Sequence, residues 1–333
     1  MTSHFLDQLF VKAAVQPSTF AIAAGLRRIR FHFPDEALRQ YCSPPFSHLP
    51  ANGQTADLDI FCFLHPLDVT AWLAENQLDN RPHKTIRHNS ILYCSQENGL
   101  FWLDENRRKG FFLGNGMDAL EPYHSKPFSR LLCWFFENLG LLWCHGACIG
   151  NGNGGVLLPG IGGAGKSTTV GAALLGGLQL LGDDYLLIEP ESRTVFGLYS
   201  SLMLAEESRE MLRQFPNATL LRPEFLGNKD KWCHYLHPAF APQLGDQLPL
   251  RAILIPQIVQ QPDSFISPAS QGEVMNALVS SLQTVWLMGI APGRLLREYH
   301  TLTASLPLGK LHVGSDLTQV PALVNAYLNG GQI

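Results

Sequence analysis

The sequence is short of charge. Lys, Arg, Asp and Glu make up 16% of its 333 residues, and 24 basic side chains face 28 acidic ones for a formal net charge of −4. The basic residues are scattered, so the footprint that a nucleic-acid partner requires is missing. No C-x-x-C pair occurs. The seven Cys (42, 62, 94, 133, 144, 148 and 233) are odd in number and spread out, which argues against a disulfide framework and for reduced thiols in a cytoplasmic setting. A long apolar run is lacking too: Asp7 and Lys12 interrupt the apolar residues near the start before a secretory signal can develop. The most apolar stretch, 131–149, contains Glu137, Asn138, Gly140, His145 and Gly146, so it reads as a core helix entering a core strand and not as a membrane span. Asn217-Ala218-Thr219 fits the glycosylation pattern but has no consequence in a cytoplasmic protein. There is no internal repeat. What remains is globular: 46% hydrophobic residues, and length enough for about two domains, each with a real core.

Residues 1–120 read as a strand-rich domain. Ile29, Phe31 and Phe33 alternate with Arg28, Arg30 and His32, the period-2 mark of a half-buried strand, and Leu58, Ile60, Cys62 and Leu64 repeat it. The pattern predicts a face of Arg28, Arg30 and His32 open to solvent, able to hold an extended peptide. Segments 91–94 and 100–103 flank Ser95-Gln96-Glu97-Asn98-Gly99 as a hairpin, and 111–113 adds a strand. This region holds no catalytic constellation and is expected to be an accessory or substrate-recognition module. The polar stretch 114–126 marks the boundary, with a second domain over 121–333. There Ser125 is expected to cap a helix with Pro127 in its first turn, ending near Gly140. A strand over 141–149 then turns through Gly150-Asn151-Gly152-Asn153-Gly154 into another. Further on come a short strand over 251–255 and two helices, with stripes Met275, Leu278, Val279, Leu282, Val285 and Leu317, Val320, Val324, Leu328.

The chemistry concentrates in Gly160-Ile161-Gly162-Gly163-Ala164-Gly165-Lys166-Ser167, which satisfies G-x-x-x-x-G-K-[ST] at every fixed position. Chance would supply those positions in roughly one chain in a hundred of this length. The flanks fit as well: Gly155-Val156-Leu157-Leu158-Pro159 reads as a buried strand, and 168–178 as a helix. Glycines let the backbone curl so that successive N–H groups face an anion, and the helix N-terminus adds positive charge. Gly160, Gly162, Gly163, Ala164, Gly165, Lys166, Ser167 and Thr168 are therefore the candidate nucleotide contacts. Lys166 is expected to reach the β/γ-phosphates and Ser167 to hold Mg²⁺. Lys166 and Ser167 are both expected to be exposed on the loop.

Asp183-Asp184 ends the next strand, where carboxylates face the phosphate crevice. One carboxylate there serves Mg·ATP chemistry, and a second can take the proton of an attacking hydroxyl. Neighbours on a strand point to opposite faces, so the two are expected to divide the work. His145, taken alone, is better explained as a core histidine than as a site residue. Lys229, Lys231, His234 and His237 form a basic group that suits a solvated loop or a phosphate-facing role equally well. No structural metal is expected, since His234 and His237 lack a partner pair and Cys144 and Cys148 point away from His145.

Trp143-Cys144-His145-Gly146-Ala147, the glycine loop and Leu181-Gly182-Asp183-Asp184 occur in the order and spacing of one known catalytic domain. Over about 125–330, and best over 140–190, the chain resembles HPr kinase/phosphorylase, above all the related enzymes of peptide-modification gene clusters, lasso-peptide clusters included. The resemblance implies an α/β fold: a P-loop kinase core of the HPr kinase and phosphoenolpyruvate carboxykinase type, behind a β-rich N-terminal domain. It implies ATP and Mg²⁺ as cofactors and His145 at the phosphoryl-transfer site. It also makes Asp184 the base and Asp183 the metal-side ligand. The Glu-Ile-Arg-Gly-Leu-Gly-Ile signature of HPr kinases is absent; Ala205-Glu206-Glu207-Ser208-Arg209 stands at that distance, with Glu207 (metal side) and Arg209 as the substitutes. The expected activity is transfer of a γ-phosphoryl to a hydroxyl, on Ser or Thr of a peptide or protein. A small-molecule kinase and a non-catalytic nucleotide-binding regulatory module are the alternatives. ATP and the acceptor are the expected partners, a homo-oligomer is allowed by the resemblance, and neither nucleic acid nor membrane is expected.

Overall fold

A computed structural model describes residues 17–53, 55–65, 68–160, 162–211, 213 and 231–330. Asp7, Lys12, Ile161, Asn217-Ala218-Thr219 and Lys229 lie outside them, as do the side chains of Arg209, Leu282 and Val285. The fold is mixed α/β, and the chain divides into two compact units. One runs to Asn138 and includes Leu287–Gly289; the other begins at Leu139.

In chain order the first unit carries β1 (Ser18–Ala24), β2 (Arg27–Phe33), α1 (Glu36–Cys42), β3 (Leu58–Leu64), α2 (Val69–Glu75), β4 (Ile86–His88), β5 (Ile91–Gln96), β6 (Gly99–Asp104), β7 (Lys109–Gly114) and α3 (Ser129–Asn138). The strands form one sheet in the order β1-β2-β3-β7-β6-β5-β4, with β2, β3 and β7 parallel. Ile29, Phe31 and Phe33 are fully buried, as their alternation predicts. The opposite face is not open. Arg30 Nε lies 3.0 Å from Asp59, its partner in register on β3, and His32 Nε2 lies 2.7 Å from the same carboxylate. Arg28 donates to the Thr55 carbonyl at 3.1 Å. Burial works against the charge of Asp59, but the His32 hydrogen bond and the charges of Arg30, His32 and Lys109 outweigh it and hold its pKa below the ordinary value. Asp59 thus ties Arg30 and His32 into a ladder across the parallel pair, and Arg28, Arg30 and His32 are half-buried where the alternation predicts an open face. The outer edge of β1 is met by Leu49–Ala51 backbone, through Ala23 N to Leu49 O and Ala51 N to Ala21 O, both 3.0 Å.

α3 begins at Ser129, four residues after the expected cap. Phe128 takes a left-handed φ of 58° and is 1% exposed, with its ring 5.3 Å from that of Phe31. A helix cannot be propagated through that conformation, and burial of the ring offsets the strain. Phe128 and α3 thus pack within the first unit, whereas the sequence boundary falls near residue 120.

The second unit continues with β8 (Leu142–Asn151), β9 (Gly154–Pro159), α4 (Lys166–Leu175), β10 (Gln179–Gly182), β11 (Tyr185–Glu189), β12 (Thr194–Phe196), β13 (Ser201–Ala205), α5 (Glu206–Met211), β14 (Lys231–Tyr235), β15 (Gln247–Ile258), β16 (Phe265–Pro268), α6 (Gln271–Leu287), α7 (Pro292–Ser305), β17 (Leu308–Val313) and α8 (Gln319–Leu328). β8 and β9 form a hairpin around Gly152 and Asn153. β15 lies parallel to β9 and to β17. β8 pairs with β11, β11 with β12, β12 with β15, β15 with β9, and β9 with β8 again, so five strands close a ring. One buried cluster joins Ala147, Ile149, Val156 and Leu158 of the sheet to Val170 and Ala173 of α4 and Val320 and Val324 of α8. The β13–β14 ribbon adds Leu202 and Leu204 to that cluster beside α4.

Candidate functional site

The site grows from the junction of β9 and α4. The loop turns out of the sheet through Gly160 at φ 141°, Gly163 at 91° and Gly165 at 88°, conformations that suit glycine and few other residues. A side chain built on Gly162 or Gly163 would meet nothing within 4 Å, so this arc of backbone stands clear. Gly165 caps α4, whose first amides have no partner one turn back and face outward. Ala164 is half-buried behind the arc. Lys166 is not exposed as its place on the loop suggests: it is 5% accessible, and its Nζ donates to the Gly160 carbonyl at 2.6 Å. Its aliphatic stem fills space at the root of the loop while the ammonium stays on the loop's inner side.

The Asp pair sits at a break between β10 and β11, two strands that both pair with β8 on either side of Gly146. The Gly146 N–H donates to the Asp184 carbonyl at 2.9 Å. Asp184 adopts φ 83°, a left-handed conformation that costs a non-glycine residue about 1–2 kcal/mol. The turn sends the two carboxylates apart. Asp183, 1% exposed, accepts from Ser167 Oγ at 2.7 Å. Asp184 Oδ1 lies 3.5 Å from His145 Nε2, with both side chains partly open to solvent. Gly146 separates His145 from Ala147 on β8, and the His145 ring packs against Tyr185 at 5.6 Å. His145 Nδ1 is buried without a hydrogen-bond partner among the described residues.

Lys166, Ser167, Asp183, Asp184 and His145 are thus brought to one edge of the sheet. Thr168 is tied elsewhere, with its Oγ1 2.7 Å from Ser208 Oγ on α5. Glu207, the residue before Ser208, is exposed, and among the described residues no three His, Cys, Asp or Glu side chains converge as a metal cluster. The donors gathered at the loop are one hydroxyl and one carboxylate, hard oxygen ligands of the kind Mg²⁺ takes alongside phosphate and water. Lys231 is half-buried on β14, and His234, 1% exposed, faces the core beside Leu202. Cys144 adjoins His145, but complete burial pushes its thiol up to about 11 against the smaller pull of Tyr299 and Lys166, which removes it as a nucleophile. The Thr168–Ser208 tie and the approach of Ile258 to Gly165 have no local sequence signal, because each joins segments far apart in the chain.

No family model matches the sequence, and no curated protein matches it. Among solved structures, the HPr(Ser) kinase/phosphatase from Coxiella burnetii is similar over 56% of this chain and 94% of its own, at 11% identity and a TM-score of 0.26. So slight a likeness carries neither fold nor function, and both rest on the chain's own residues.

Proposed function

We propose that the chain is an ATP- and Mg²⁺-dependent kinase that transfers the γ-phosphoryl group to a hydroxyl, on Ser or Thr of a peptide or protein. The supporting observation is the parting of the Asp pair: Asp183 on Ser167 at 2.7 Å, Asp184 toward His145 at 3.5 Å, both beside an open glycine arc. The loop amides and Lys166 would hold the triphosphate, and Ser167 with Asp183 would hold Mg²⁺. When bound, nucleotide and metal supply a transferable phosphoryl group and the charge that steadies it. Asp184, partly open to solvent, accepts the proton of the acceptor hydroxyl and aligns its oxygen. His145 steadies the Asp184 carboxylate through Nε2, leaving Nδ1 to a bound group. Exclusion of water falls to the walls of the crevice, where Tyr185 packs on His145.

The test is ATP consumption with and without candidate acceptors, followed by mass spectrometry for a phosphate adduct. Peptides encoded beside the gene and a panel of small alcohols serve as acceptors. Consumption that depends on a peptide and leaves a phosphorylated Ser or Thr is the expected result. Phosphorylation of small alcohols alone would replace the peptide acceptor, and acceptor-independent or absent consumption would replace the kinase by a nucleotide-binding regulator.

A further inference from the structure

We propose that Ile258 is the platform for the nucleobase of the bound nucleotide, an inference that rests on the phosphate-loop assignment above. β15 runs parallel to β9, so its C-terminal end opens on the same sheet edge as the glycine loop, where ligands of such sheets bind. Ile258 is the last residue of β15, and it is 56% exposed although its register partner on β17, Val313, is fully buried. It stands directly on the loop: a methyl group built on Gly165 would come within 2.6 Å of Ile258 Cδ1. The left-handed φ of 88° is what calls for glycine at 165, and the closeness of Ile258 shows only that its side chain lies against the loop.

The two flanks of the loop strand differ in chemistry. On the β8 side stand His145, Asp183 and Asp184, the groups that act on a phosphoryl. On the β15 side the residue at the loop is an exposed aliphatic side chain with no titratable group. A nucleoside triphosphate whose γ-phosphoryl faces the carboxylates has its base on the opposite flank. An aliphatic face there takes the π-face of a base and gains by losing water, while offering the charged phosphates nothing.

The test is calorimetric titration of the full-length chain with two probes, ATP and inorganic triphosphate, both with Mg²⁺. Ile258→Ser is expected to weaken ATP by roughly five- to tenfold, the scale of one apolar contact. Inorganic triphosphate, which has no base, is expected to bind the variant within about twofold of wild type. Ile258→Leu keeps an apolar face and is expected to restore ATP binding. A thermal melt matching wild type shows that the variant is folded, as an exposed position allows. Unchanged ATP affinity in Ile258→Ser, or an equal loss for both probes, overturns the platform while leaving the phosphate loop standing. If wild type binds neither probe, the phosphate-loop assignment fails and the platform with it.

Discussion

Asp184 holds a carboxylate in a backbone conformation that glycine would adopt at less cost, φ 83°, and the site depends on that turn to part it from Asp183. Asp184→Gly is therefore expected to stabilise the fold by about 1 kcal/mol while abolishing transfer. Denaturant melts alongside activity assays check this, and a variant that is both active and no more stable would refute the role. Asp184→Asn keeps the turn, since Asn tolerates the left-handed region, and is expected to bind ATP normally while losing roughly 10²-fold in transfer. A second residue, His124, adds to the pH dependence of the fold. Burial lowers the His124 pKa to about 4, with its ring 4.2 Å from Tyr41. The unfolded chain takes up a proton near pH 6.5 that the folded chain refuses until about pH 4, so stability falls across that window by something on the order of 2 kcal/mol. Urea melts of wild type and His124→Gln at pH 7 and pH 5 are expected to show the gap between them narrowing as the pH falls. A gap that stays constant would mean that His124 does not titrate with folding.

At the scale of elements, the loop, α4 and the β5–β6 hairpin were legible because each is signalled within a few residues. A glycine spacing, an Ala/Leu/Val helix and a Gly beside Asn in a turn state their geometry locally. The elements that escaped are those decided at a distance. β17 and α7 carry modest patterns, Leu311 and Val313 in one and Leu295, Tyr299 and Leu302 in the other, which become decisive only when β15 offers a parallel edge. The ring of strands closes through pairings between residues 142 and 258, which no local window contains. The ladder of Arg30, His32 and Asp59 was misread for the same reason: the strand's alternation was visible, but its acidic partner lies 27 residues away from His32. Gly165 joins both kinds of information. Gly165→Ala meets a strained φ and pushes the exposed Ile258 side chain aside, so it is expected to cost about 1–2 kcal/mol, from the φ, and to weaken nucleotide binding. A melt and a titration unchanged from wild type would show that the loop tolerates what its geometry forbids.

Over the whole molecule, all seven cysteines are free and buried, and where burial is complete their thiols are pushed well above the ordinary range. Among the described residues, no helix is long and apolar enough to cross a membrane. The proposed function places its chemistry on oxygen and nitrogen groups at the glycine loop, and its central claim is that this loop binds a nucleoside triphosphate through Lys166. Because Lys166 is buried, Lys166→Ala would open a cavity and confuse binding with folding, whereas Lys166→Met keeps the stem and removes the charge. The decisive measurement is calorimetric titration of ATP with Mg²⁺ into wild type and Lys166→Met, with thermal melts of both. One nucleotide bound per wild-type chain, and an affinity at least about tenfold weaker in a variant that melts like wild type, is the predicted result. Equal affinity in the two proteins, or no binding to wild type, would contradict it.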